Sequence, residues 1–157
     1  MNIKEKVLPL PTKEYLHEME DDWELALPEK YKDFLLNYNG GIPIEQCFSI
    51  YGHEYMIERF LSILSDYKDN SLGDYDITVT ESQLCERLTD DPNSTGLQKL
   101  PIAVLFAGDF LCLDYKESTN HPSVCVWYHD ASYEFRPAIK KIADSFEQFI
   151  EMLYSRL

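Results

Sequence analysis

IAVLFAGDFLCLDYKESTNHPSVCVWY, residues 102–128, is the stretch on which the fold turns. It opens with a β-favourable run at 102–107. Gly108-Asp109 is a turn pair, and a second run occupies 110–115. A polar connection at 116–123 leads to a third run at 124–128. Three neighbouring strands with short links imply an antiparallel sheet.

Working outward toward the C-terminus, Ser145-Phe146-Glu147-Gln148 matches a capping box, in which Ser and Gln satisfy free N–H groups at a helix start. Phe146, Phe149, Ile150 and Leu153 form the apolar stripe of that terminal helix. Toward the N-terminus, 90–96 reads as a loop and 82–88 as a short helix. The polar, acidic, turn-rich 66–76 segment reads as a second loop. Ile57, Phe60, Leu61 and Leu64 repeat at helical spacing, so a helix is expected over 54–65. Ile42, Ile44, Phe48 and Ile50 alternate, which predicts extended chain over 42–51. Pro28, the stripe Tyr31, Phe34, Leu35 and Tyr38, and then Gly40-Gly41 give a helix its start, buried face and stop. A weaker amphipathic helix is expected at 12–22. The expectation is one α+β domain over 1–157, a central antiparallel sheet with helices packed on it, in which 1–26 is an N-terminal helical extension.

The chain is 45% hydrophobic and 13% aromatic over 157 residues, enough to build a core without disulfides or metal. It has no apolar run near the about 20 residues of a membrane span and no apolar segment of signal-peptide type at its start. A cytoplasmic location is therefore expected. The cysteines Cys47, Cys85, Cys112 and Cys125 form no CxxC pair and read as reduced, buried thiols. The formal net charge is −14. Between residues 42 and 120, fourteen acids face five bases. Nucleic acid and anionic lipid would be repelled by such a chain, and a basic protein attracted.

Reactive constellations are sparse. His17, His53, His121 and His129 have no ligand spacing, so no metal site is expected. No GxSxG elbow, GxGxxG or GxxxxGK[ST] occurs, and no cofactor is expected. A thiol–imidazole pair of Cys112 or Cys125 with His129 is conceivable, as is a carboxylate cluster of Asp109, Asp114 and Asp130. Turn chemistry accounts for Asp109 better than catalysis does. Tyr15, Tyr51, Tyr55, Tyr67, Tyr75 and Tyr133 stand near acids, a composition suited to a binding face.

Four segments together resemble the SUKH superfamily of Smi/Knr-type regulators and bacterial immunity proteins. They are 27–41, the 100–102 run leading into 108–114, 124–130 and 142–149. The chain is also similar to the YobK-type antitoxins. It departs from the family in lacking an additional glycine before the Gly-Asp turn, where Ala103 to Ala107 stand. The resemblance implies a non-enzymatic binding domain, in bacteria commonly an immunity protein that neutralises a toxin, often a nuclease with basic surroundings at its active site. It also implies that Gly40, Gly41, Gly108, Asp109 and Trp127 are structural. The alternatives are a regulatory interaction module and a carboxylate-dependent hydrolase. The expected partner-binding residues are Asp66, Tyr67, Asp69, Asp74, Tyr75, Asp76, Asp90 and Asp91, facing a basic protein toxin and neither nucleic acid nor membrane.

Overall fold

The computed structural model describes residues 1–156. Six strands pair with their chain neighbours in one antiparallel meander: β3 (Cys47–Ile50), β4 (His53–Phe60), β5 (Lys99–Leu105), β6 (Phe110–Asp114), β7 (Ser123–Trp127) and β8 (Ile139–Ala143). Two short strands, β1 (Ile3–Glu5) and β2 (Ile42–Pro43), form a separate pair. The helices are α1 (Lys13–Trp23), α2 (Glu29–Tyr38), α3 (Ile77–Leu84) and α4 (Phe146–Glu151). The α+β class and the C-terminal helix are as the sequence predicts.

The 54–65 segment is not a helix; most of it is β4. A bulge between Ile57 and Arg59 shifts the pairing with β5, so Ile57 and Phe60 both enter the core. That spacing of three imitates a helical stripe. The extended 42–51 segment splits into β2 and β3. The helix expected at 82–88 begins earlier, at Ile77, and ends in a 3-10 turn at Cys85–Leu88. Strand β8 lies where the sequence predicts no strand. It carries Lys140 and Lys141 on the open edge of the sheet, where charge discourages pairing with other chains.

Alternating side chains give the sheet two covered faces. Leu100, Ile102, Leu111, Leu113, Val124 and Val126 point to the side where α1, α2 and α4 supply Leu16, Tyr31, Phe34, Phe146 and Phe149. Cys112, Cys125 and Trp127 point the other way, beneath Leu84 and Leu88. Trp127 is fully buried. Its Nε1–H donates to the Arg87 carbonyl at 2.9 Å, and the Arg87 guanidinium lies 5.0 Å from the ring centre.

The end of α2 is set by Asn39 in the left-handed region, followed by Gly40 and Gly41, also at positive φ. A Cβ on Gly41 would stand 1.7 Å from the Glu5 carbonyl oxygen, so no side chain fits. Asn39 is buried; its Oδ1 accepts from the Ile63 N–H, and its Nδ2 donates to the Ile63 and Pro9 carbonyls. At the β5–β6 turn Ala107 has φ 79 and Gly108 φ 88. Ala107 thus adopts a conformation natural to glycine. Asp109 Oδ1 accepts from the His129 N–H at 2.9 Å, tying this turn to the next one.

At α4 the Gln148 N–H donates to Ser145 Oγ at 3.1 Å, while Gln148 Oε1 accepts from the Asp144 N–H. The reciprocal bond of the capping box therefore lands one residue early.

Candidate partner-binding surface

A meander sends alternate connections to opposite ends. The β3–β4, β5–β6 and β7–β8 turns lie at one end of the sheet. The long 61–98 connection leaves β4 and enters β5 at the other, and α3 within it packs against β5. That connection carries eight acids against two bases, Lys68 and Arg87.

Its first part is a pinned structure rather than a slack loop. Two 3-10 turns, Tyr67–Asp69 and Gly73–Tyr75, are bound to the fold by Ser62 N–H to Tyr75 O and by Asn70 Nδ2 to Leu8 O. A Cβ on Gly73 would meet the Tyr67 carbonyl oxygen at 1.8 Å. Asp66, Asp69 and Asp74 are exposed, and among the described residues none is in an ion pair. Asp76 is placed differently. It is 2% exposed and caps α3, with Oδ1 accepting from Val79 N–H and Oδ2 from Leu64 N–H. Burial raises its carboxyl above the ordinary range, and those N–H groups partly oppose the rise. Tyr75 is half-buried against the core, with the Arg59 guanidinium 5.0 Å from its ring centre. Tyr67 is half-buried too.

Asp90 bonds to Lys116 Nζ and Gln98 Nε2, and the Lys116 bond first of all holds its carboxyl below the usual range. Asp91 is exposed; its Oδ1 accepts from the Asn93 N–H and shapes the 90–96 loop. Asp91 also lines an open groove of about 460 Å³ with Asp22 at the end of α1 and with Glu81 and Glu86. No basic side chain lines this groove. Burial raises the Glu81 carboxyl. Sequence reasoning missed Asp22, Glu81 and Glu86, because only the folding of the 61–98 connection onto the end of α1, where Leu97 N–H donates to the Trp23 carbonyl, brings them together.

The arrangement offers little chemistry. Asp109 precedes β6 and Asp114 ends it, so they lie at opposite ends of the strand; Asp114 pairs with buried Lys99 at 3.3 Å. Asp130 is fully exposed beside His129. Cys112 and Cys125 face each other across β6 and β7 and are fully buried, and burial pushes the Cys112 thiol far up, away from a nucleophilic thiolate. Cys47 is also buried, whereas Cys85 is exposed, unlike the buried thiol expected from sequence. Among the described residues no group of His, Cys, Asp or Glu is arranged to hold a metal ion, and no helix is long and apolar enough to cross a membrane.

These features describe an acidic surface whose exposed carboxylates Asp66, Asp69 and Asp74 are in no ion pair among the described residues. A family model described as SMI1-KNR4 cell-wall (SUKH_6) matches residues 13–150, and the chain belongs to this family. The family is known for immunity proteins, generally non-enzymatic, that act by binding other proteins. Neither the curated proteins nor the solved structures yielded a match to this chain.

Proposed function

We propose that this protein is an immunity protein that binds and neutralises a toxin bearing a basic surface, such as a nuclease domain, and does so through the acidic 61–98 connection. The observation that carries the reading is the groove lined by Asp22, Glu81, Glu86 and Asp91 without a base, together with Asp66, Asp69 and Asp74 of the same connection, exposed and in no ion pair among the described residues. Such a surface occupies the place that nucleic-acid phosphates take on a nuclease. Its field speeds encounter, which matters when a toxin must be stopped before it acts.

Asp76 belongs to the frame of this surface and not to its contacting atoms, since both its oxygens serve backbone N–H groups. Asp90 contributes chiefly through Lys116. The contacting set is therefore Asp66, Asp69 and Asp74 with the groove acids Asp22, Glu81, Glu86 and Asp91, and Tyr67 and Tyr75 are half-buried support.

The test is association kinetics with the cognate toxin, across salt concentrations. Changing Asp66, Asp69 and Asp74 together to Asn should lower the on-rate about ten-fold at low salt and flatten its salt dependence. If this variant and one carrying Glu81→Gln, Glu86→Gln and Asp91→Asn both associate and protect cells as the parent does, the acidic connection is not the interface.

A further inference from the structure

Each of the three hairpin turns at the other end of the sheet carries an exposed ring. Tyr51 is 94% exposed, Phe106 55% and Tyr133 65%. Tyr51 has φ 49 and Gly52 φ 79, the pair of positive angles of a type I′ turn, whose first position suits Asn, Asp or Gly. A large ring held in water, on backbone that disfavours it, contributes little to folding and points to use by a partner.

Ring faces elsewhere in this chain show what they accept. Lys140 Nζ lies 5.0 Å from the Tyr51 ring centre, and Arg87 and Arg59 lie at the same distance over Trp127 and Tyr75. Among the described residues no cation sits over Phe106 or Tyr133. Carboxylates share their turns: Asp109 follows Phe106, and exposed Asp130 and Glu134 flank Tyr133. Three bases stand in the β7–β8 loop and β8, Arg136, Lys140 and Lys141; Lys140 is already seated on Tyr51 and Lys141 is paired with Asp144. A planar guanidinium can stack on a ring and bond a neighbouring carboxylate at once, a combination that suits arginine better than lysine.

We propose that the hairpin end of the sheet is a second recognition surface, which takes arginine side chains of a protein segment on the Phe106 and Tyr133 rings. The net charge of −14 favours such a partner. The surface meets the acidic connection at the β7–β8 loop, where Tyr133 and Asp130 share a groove with Glu86 and Arg87, and it shares with the function proposed above only the basic character of what it binds.

The probe is acetyl-(Gly-Arg)3-amide, with lysine and citrulline counterparts, titrated into the full chain at physiological salt while the aromatic NMR signals are followed. The Phe106 and Tyr133 ring signals should move with the arginine peptide, less with the lysine peptide and not with the citrulline one. Phe106→Leu with Tyr133→Leu keeps apolar bulk at two exposed positions. It should weaken binding about two- to five-fold per ring and leave the thermal midpoint unchanged. Shifts confined to residues 66–91, or a double variant that binds as the parent does, overturn this proposal and leave the acidic-surface reading standing. Ring shifts that follow only protein concentration, or only added phosphatidylcholine vesicles, assign the end to a second copy or a membrane and overturn it as well.

Discussion

The 61–98 connection and the hairpin turns bound the same six strands, yet they are made of different materials. The connection carries eight acids and two bases, and its aromatic rings, Tyr67 and Tyr75, are half-buried. The turns carry three acids, Asp109, Asp130 and Glu134, against one base, Arg136, and their rings are exposed. Carboxylates act at a distance and govern how fast a partner arrives, while rings act on contact and govern how long it stays. The comparison also shows that acidic sequence and acidic surface are different things. Asp76 lies in the most acidic stretch of the chain and contributes its oxygens to the interior.

The largest effect is expected where the two regions are joined. Trp127 bonds the Arg87 carbonyl, and Arg87 in turn donates to the His129 and Ser132 carbonyls of the β7–β8 loop. Trp127→Ala removes this fully buried ring and should cost about 3–5 kcal/mol in denaturant unfolding. A loss under about 1 kcal/mol would mean that the outer layer is not cooperative with the sheet.

Next comes the division within the acids. Asp76→Ala strands two N–H groups and removes an N-cap, for an expected loss of about 2–4 kcal/mol. Asp69→Asn and Asp74→Asn should stay within about 0.5 kcal/mol of the parent. Equal losses at all three positions would erase the distinction between frame and surface.

Acidity separates the same groups by sign. Asp76 and Glu81 have carboxyls raised by burial, so the folded chain binds protons more tightly than the unfolded one. Their effect is to increase stability as pH falls through their folded values toward the ordinary carboxylate range near about pH 4. Relief of the −14 charge acts in the same direction. Asp90, lowered by Lys116, opposes this only at lower pH, where its own carboxylate takes up a proton. The thermal midpoint should therefore rise as pH falls from neutrality toward the ordinary carboxylate range. A steady fall over that range would show that these groups do not control the balance, and Asp76→Asn should reduce the rise.

The sequence disclosed what local chemistry decides. Strands β5, β6 and β7 follow from β-favourable runs around Gly108-Asp109, and α2 from its stripe and stop. Strand β4 was hidden because its bulge converts an alternating pattern into helical spacing. Strand β8 was hidden because Lys140 and Lys141 interrupt its apolar residues. Residues 66–91 were legible as acidic, but the roles of Asp76, Asp90 and Asp91 depend on Leu64, Lys116 and Asn93, contacts that only the folded chain defines. The groove joining Asp22 to Glu81 and Glu86 is tertiary in the same sense.

The smallest effect is the sharpest test of the hairpin end. Tyr51 holds φ 49, where a side chain crowds its own backbone at a cost of about 1 kcal/mol or more. Asn tolerates this region through local hydrogen bonding of its short amide and is favoured in type I′ turns. Tyr51→Asn also loses the contact with Lys140, which at an exposed site contributes about 0.5 kcal/mol. The two terms oppose, and the strain term is the larger, so the variant should be more stable by about 0.5 kcal/mol in paired denaturant melts. A ring that reduces stability where it stands is one whose value lies in contact with a partner. A variant less stable than the parent would show instead that Tyr51 serves the fold, by clamping the β3–β4 turn to β8 through Lys140, and the contrast between a charged end and a contact end would then rest on Phe106 and Tyr133 alone.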